Sequence, residues 1–274
     1  MFLQALRSAL FYLLFIGQTV ILAVLVGTIA ILARRRVELN WRIGQYWGES
    51  NKALLRWIVG IRTEVTGSDN IPPGGCILAA KHQSDWDIFA ILPHTIRPAF
   101  IAKKELMNIP FFGWAASSLD TITIDRSRGG QAIPAMMEDA RGALARGCRI
   151  IIFPEGTRRA PLAEPDYKYG LARMYVELGV PVVPVALNSG LFWGRNSLIL
   201  WPGTARAQFL PPIEPGLPLE DFQRQLIQTI ETHSDRLALD AVDAGLSRPV
   251  TPELAERIEA ARQRTGRTAQ TTTY

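Results

Sequence analysis

Cys76-Ile77-Leu78-Ala79-Ala80 runs directly into Lys81-His82-Gln83-Ser84-Asp85-Trp86-Asp87, and the reading of this stretch decides the fold. Five apolar residues followed by a polar turn read as a buried strand, and a helical pattern then starts at Trp86. Ser84 and Asp85 are both residues that cap helix starts. Strand, turn and helix in this order place His82 at the carboxyl end of a strand, where open α/β sheets bind ligands.

The same alternation continues on both sides. Short apolar runs at 99–102, 121–124, 149–153, 182–187, 198–201 and 205–210 read as further strands. Helical patterns fill 86–92, 109–119, 131–145 and 168–178, and a charged amphipathic helix covers 218–245. The predicted fold class is therefore α/β, a mostly parallel sheet covered by helices, spanning residues 63–248. Residues 249–274 are expected to form a polar tail, disordered from Thr265.

Residues 1–62 have a different character. Residues 9–33 carry no charge, and a helix of that length rises about 37 Å, more than the roughly 30 Å hydrocarbon core of a bilayer. The run leads into Arg34-Arg35-Arg36 rather than a small-residue cleavage site, so it is expected to be an uncleaved anchor that crosses or dips into the membrane. The basic residues after it put the rest of the chain on the cytoplasmic side. Residues 37–62 read as an amphipathic helix broken near Gly48. Three of the seven tryptophans (Trp41, Trp47, Trp57) lie there, a residue that favours the headgroup zone.

Composition narrows the function classes. The 274 residues are 48% hydrophobic with a net charge of +5, which suits an anionic partner. No nucleic-acid-binding pattern accompanies that charge, so nucleic acid is not expected. Cys76 and Cys148 are the only cysteines, each in an apolar run, and read as buried thiols.

Four predicted strand ends carry the chemistry. His82 follows the first, and Asp87 lies close enough to take one imidazole nitrogen, as the partner of a general base does. Lys103-Lys104 follow the strand at 99–102, Asp125-Arg126 the strand at 121–124, and Pro154-Glu155-Gly156-Thr157-Arg158-Arg159 the strand at 149–153. Guanidinium groups bind phosphate through paired hydrogen bonds. Together these ends make one cationic mouth containing a base.

These residues resemble the glycerolipid acyltransferases typified by the 1-acylglycerol-3-phosphate acyltransferase family. The first family motif appears as His82 to Asp87, with Lys81 where the family has Asn. The second resembles Lys104-Glu105-Leu106 through 109–114 to Ile124-Asp125-Arg126; the third is Phe153 to Arg158 and the fourth Val180 to Val185. The membrane segment and amphipathic stretch resemble the family's two-helix attachment.

The resemblance implies that His82 deprotonates an acceptor hydroxyl with Asp87 orienting it. It implies that Lys104, Arg126, Glu155, Gly156, Thr157 and Arg158 form the phosphate site, with Glu155 and Gly156 shaping the loop. Pro184 would belong to the acyl pocket or a sheet edge. The donor would be acyl-CoA or acyl carrier protein and the acceptor a lysophospholipid, with no metal or other cofactor. Two alternatives are another lysolipid acceptor, such as a lyso-aminolipid, and a non-catalytic membrane adaptor. A hydrolase is disfavoured because no G-x-S-x-G elbow is present.

Overall fold

Strand β2 (Cys76–Ala80) is buried at every residue, as unbroken apolar runs in parallel sheets are. The computed structural model describes residues 1–32, 37–109, 113, 116, 119–125 and 133–267. Six further strands join β2: β1 (Ile61–Thr66), β3 (Pro98–Lys103), β4 (Ile122–Ile124), β5 (Arg149–Ile152), β6 (Val182–Leu187) and β7 (Gly203–Phe209). Their order is β1-β7-β6-β2-β5-β3-β4. Every pair is parallel except β6 with β7, so β1 and β7 run against the other five. The carboxyl ends of β6, β2, β5, β3 and β4 therefore share one edge, and the site lies there.

The described helices are α1 (Phe2–Leu32), α2 (Val37–Leu54), α3 (Trp86–Ile91), α4 (Ile133–Ala145), α5 (Gly170–Leu178), α6 (Leu219–Asp243) and α7 (Pro252–Thr265). Buried side chains on both faces of the sheet complete the core. One cluster gathers Trp86, Phe89, Leu191 and Trp193, and another gathers Ile77, Ile150, Met137 and Phe222.

Four sequence expectations change. The stretch at 37–62 is not broken at Gly48. Helix α2 passes through it and widens into a π turn at Leu55–Val59, and Gly60 at φ 90° ends the helix with its N–H on the Leu55 carbonyl. Ile61 and Arg62 then belong to β1, an edge strand that alternates buried and exposed residues. Residues 198–201 form no strand. Leu200 donates its N–H to Ser8 Oγ, its carbonyl accepts from Gln4 Nε2, and Trp201 N–H reaches the Phe192 carbonyl, so α1 takes the place of a strand partner for Leu200. Beyond Pro249 the chain is not a loose tail as far as Gly266. Thr251 caps α7, which buries Leu254, Ile258 and Ala261, and Arg262 pairs with Asp243 of α6 at 2.6 Å. Much of the predicted helix at 109–119, the first two residues of the one predicted at 131–145 and residues 268–274 lie outside the described residues.

Helix α1 is long and apolar enough to cross a membrane, and only 11% of its most apolar window is buried. Its amino-terminal half is nevertheless docked on the α/β unit. Phe11 is fully buried against Trp193, and Tyr12 Oη donates to the Ser197 carbonyl at 2.7 Å. Further along, Trp47 of α2 donates to Thr19 Oγ1 at 2.9 Å, and the two helices lie antiparallel.

Candidate active site

Leaving β2, the chain turns at Lys81 and His82 and enters α3, which places Asp87 in the first helical turn. Asp85 occupies the capping position but makes no capping bond with its side chain. Asp87 closes the turn instead. Its Oδ2 accepts the N–H of Gln83 at 2.7 Å and of Ser84 at 3.0 Å, and lies 2.9 Å from His82 Nδ1. Its Oδ1 accepts the hydroxyls of Ser84 at 3.2 Å and Ser189 at 2.5 Å. The carboxylate is fully buried yet richly hydrogen-bonded, as a buried charge must be.

An ionised carboxylate only accepts, so Nδ1 carries the shared proton and Nε2 keeps its lone pair. The Phe153 ring stacks on the imidazole at 4.0 Å and holds its plane. The His82 side chain stays 17% exposed although its Nδ1 partner is fully buried. A buried carboxylate, an oriented imidazole and an open nitrogen form the arrangement of a general base.

The third motif is stitched onto this loop. Arg159 gives its backbone N–H to the His82 carbonyl at 2.8 Å, and Glu155 Oε2 accepts the His82 N–H at 2.9 Å. Gly156 sits at φ 69°, which reverses the chain after β5 and leaves Gly156 and Thr157 exposed. Arg158 extends to Asp85 at 3.0 Å. Lys104, past β3, is exposed and 3.5 Å from Asp125, past β4. Arg126 lies outside the described residues.

Two assignments made from the sequence are corrected here. Glu155 does not face the phosphate mouth; its carboxylate is buried on Lys81 and the His82 amide, and a second anion beside it would be repelled. Pro184 is not at a sheet edge. It sits buried within β6, between β2 and β7, and its carbonyl accepts the Leu210 N–H where the ladder to β7 ends.

Comparison with known proteins gives the same reading. A family model described as acyltransferase matches residues 62–188. A 1-acyl-sn-glycerol-3-phosphate acyltransferase of Pseudomonas aeruginosa is 34% identical over 208 residues, covering 76% of this chain and 80% of that one. The human 1-acyl-sn-glycerol-3-phosphate acyltransferase alpha is 33% identical over 58% of this chain and 57% of its own length. The crystal structure of the 1-acyl-sn-glycerophosphate acyltransferase from Thermotoga maritima matches with a TM-score of 0.72 at 25% identity, over 85% of this chain and 97% of that one. The chain belongs to the 1-acyl-sn-glycerol-3-phosphate acyltransferase family.

In this acyltransferase several site residues escaped the sequence reading. Ser189 is the hydroxyl on Asp87 Oδ1, and Gln83 Oε1 accepts the Gly190 N–H at 2.9 Å, so the loop after β6 supports the loop after β2. Ser189 carries no sequence signal beyond its place just after the apolar run at 182–187. Lys81, Tyr167 and Glu231 form a buried polar cluster with Glu155. Glu231 is one of several acids on an amphipathic helix, and nothing in its neighbours distinguishes it.

Proposed function

We propose that this acyltransferase moves an acyl chain from acyl-CoA or acyl carrier protein to the sn-2 hydroxyl of 1-acylglycerol-3-phosphate, giving phosphatidic acid. The observation that carries the reading is the His82–Asp87 pair at the end of β2, with Arg158 presented from the neighbouring strand β5. The acceptor oxygen attacks the thioester carbonyl carbon while its proton passes to His82 Nε2. Asp87 supports the imidazolium that results. The tetrahedral adduct collapses, the C–S bond breaks, and the departing thiolate takes the proton back. No acyl-enzyme is formed, and the sequence of steps calls for no metal or redox cofactor.

Arg158, Lys104 and Arg126 are the cations we assign to the acceptor's phosphate, with the exposed Thr157 beside them. In the free enzyme Arg158 is held by Asp85, and a phosphate would compete for it. Hydrogen bonds to charged groups contribute about 1.5–3 kcal/mol, so Arg158→Ala is expected to raise KM for lysophosphatidic acid about 10–150-fold. Asp85→Asn frees the guanidinium and should lower that KM, with kcat within about twofold. Steady-state kinetics over acceptor concentration checks both, and an Arg158→Ala effect equal for phosphorylated and unphosphorylated lysolipids would remove the phosphate role.

The exposed apolar surface of α1 supports association with the membrane, and the arginines that follow it in the sequence favour the cytoplasmic face for the catalytic domain. Docking of Gln4, Ser8, Phe11 and Tyr12 onto the domain supports a helix that dips into the bilayer beside the enzyme over one that crosses away from it. The deciding experiment offers purified protein a panel of lysolipids with acyl-CoA and acyl carrier protein in turn and identifies the products. Phosphatidic acid as the main product supports the proposal. Preferential acylation of a lyso-aminolipid would change the acceptor and leave the chemistry intact.

A further inference from the structure

Lys81 lies directly before His82 at the end of β2, and its surroundings give it a role. The side chain is 2% exposed, with Nζ 3.3 Å from Glu155 Oε1 and 2.5 Å from Glu231 Oε1. Burying an ammonium is costly unless it is paired, so the two carboxylates determine where Nζ sits. Glu155 uses its other oxygen to accept the His82 N–H at 2.9 Å. Glu231 lies on α6, beyond the matched residues 62–188, and accepts the Tyr167 hydroxyl at 2.8 Å.

We propose that Lys81 is a positioning residue for the transfer reaction: braced by Glu231, it keeps the Glu155 carboxylate seated on the His82 amide and so references the base's backbone to α6. The proposal rests on the reading of His82 as the base. Lys81 does not touch a substrate in this account; it acts through Glu155.

The charges around the cluster explain why a cation is needed. Burial pushes the Glu155 carboxyl above its ordinary range; Lys81 and the His82 N–H pull it down, and Glu231 pushes it up. Tyr167 is raised well above the usual phenol range by burial and by Glu231, Glu155 and Asp235, so it remains a donor. Asp235, also on α6, is answered at 3.1 Å by Arg264 of α7, which also reaches Glu164 at 2.9 Å. Among the described residues Lys81 is thus the cation that contacts both Glu155 and Glu231. An asparagine there would leave two carboxylates facing each other in a buried space. Glu155 would then take up a proton more readily, and a protonated carboxyl accepts the His82 N–H more weakly.

The test compares wild type, Lys81→Asn and Lys81→Asn/Glu231→Gln, with kcat and KM measured from pH 5.5 to 9 on lysophosphatidic acid and acyl-CoA. Losing an opposite charge at this range moves a carboxyl by about one unit or more, so Lys81→Asn should lose about tenfold more kcat at low pH than at high pH, with KM little changed. The double variant removes the repelling carboxylate as well and should recover part of that low-pH loss. An acid limb unchanged in both variants, whatever happens to their melting temperatures, overturns the proposal. If Lys81→Asn does not fold, the same displaced limb is required of the double variant. If neither folds, the cluster is a folding device and the proposal falls. His82→Ala measured alongside separates the two levels: activity there overturns the base itself, whereas an inactive His82→Ala with pH-insensitive Lys81 variants overturns only the role of Lys81.

Discussion

His82→Ala is expected to lower kcat by about three to four orders of magnitude while leaving the protein folded and membrane-associated. The size follows from the roles on one ring: Nε2 is the atom left free to take the acceptor's proton, and Nδ1 is already committed to Asp87. The expectation of an intact fold follows from the backbone. Glu155 and Arg159 hold residue 82 through its N–H and carbonyl, and neither bond uses the imidazole. Phe153 loses a stacking partner, but no buried charge loses its only contact. Release of free thiol from acyl-CoA measures the rate, and circular dichroism with liposome flotation checks the rest. Turnover within about tenfold of wild type would remove the mechanism.

Asp87→Asn is expected to lose about two to three orders of magnitude in kcat, more than Asp85→Asn and less than His82→Ala. In many histidine–carboxylate pairs the amide variant fails because the ring adopts the wrong tautomer. Here the N–H groups of Gln83 and Ser84 both point at Oδ2, so an oxygen is required at that position. The amide NH2 would face Ser84 and Ser189, whose hydroxyls can turn to accept. The ring therefore keeps Nδ1–H as donor, and the loss is that of the negative charge beside the imidazolium. Asp87→Ala should be worse in a second way. It strands two backbone donors, each costing about 1–3 kcal/mol, and its melting temperature should fall with its activity. If Asp85→Asn proved the more damaging, the partner of His82 would have to be reassigned.

Much of this arrangement was legible in the sequence because it is written in short segments. The strand into His82 and the spacing to Asp87 are local, and a helix start at Trp86 brings the carboxylate back onto the loop. The parallel order of β2, β5, β3 and β4 then sets their carboxyl ends along one edge, as expected from alternation alone. The misses have physical causes. The first two residues of β1 were read as helix because Trp57, Ile58 and Ile61 continue the apolar spacing of α2, and only the left-handed Gly60 interrupts it. Residues 198–201 look like a strand by composition, but both backbone hydrogen bonds of Leu200 go to side chains of α1. Helix α7 is polar over most of its surface and is held by a narrow stripe of Leu254, Ile258 and Ala261, too sparse to stand out. Glu155 was placed in the phosphate site by the resemblance, as a residue shaping the loop; its contact with Lys81 joins residues 74 positions apart.

The docking of α1 has a consequence for how such a protein can be altered. Phe11 belongs to the same buried cluster as Trp86, Phe89 and Trp193, so part of the anchor is also part of the enzyme's interior. A tether can be exchanged for any other segment of equal affinity for lipid; this helix cannot. Replacing it with an unrelated apolar helix would leave aromatic rings beside the catalytic loop facing water, because Phe11 packs on Trp193 from within the same core.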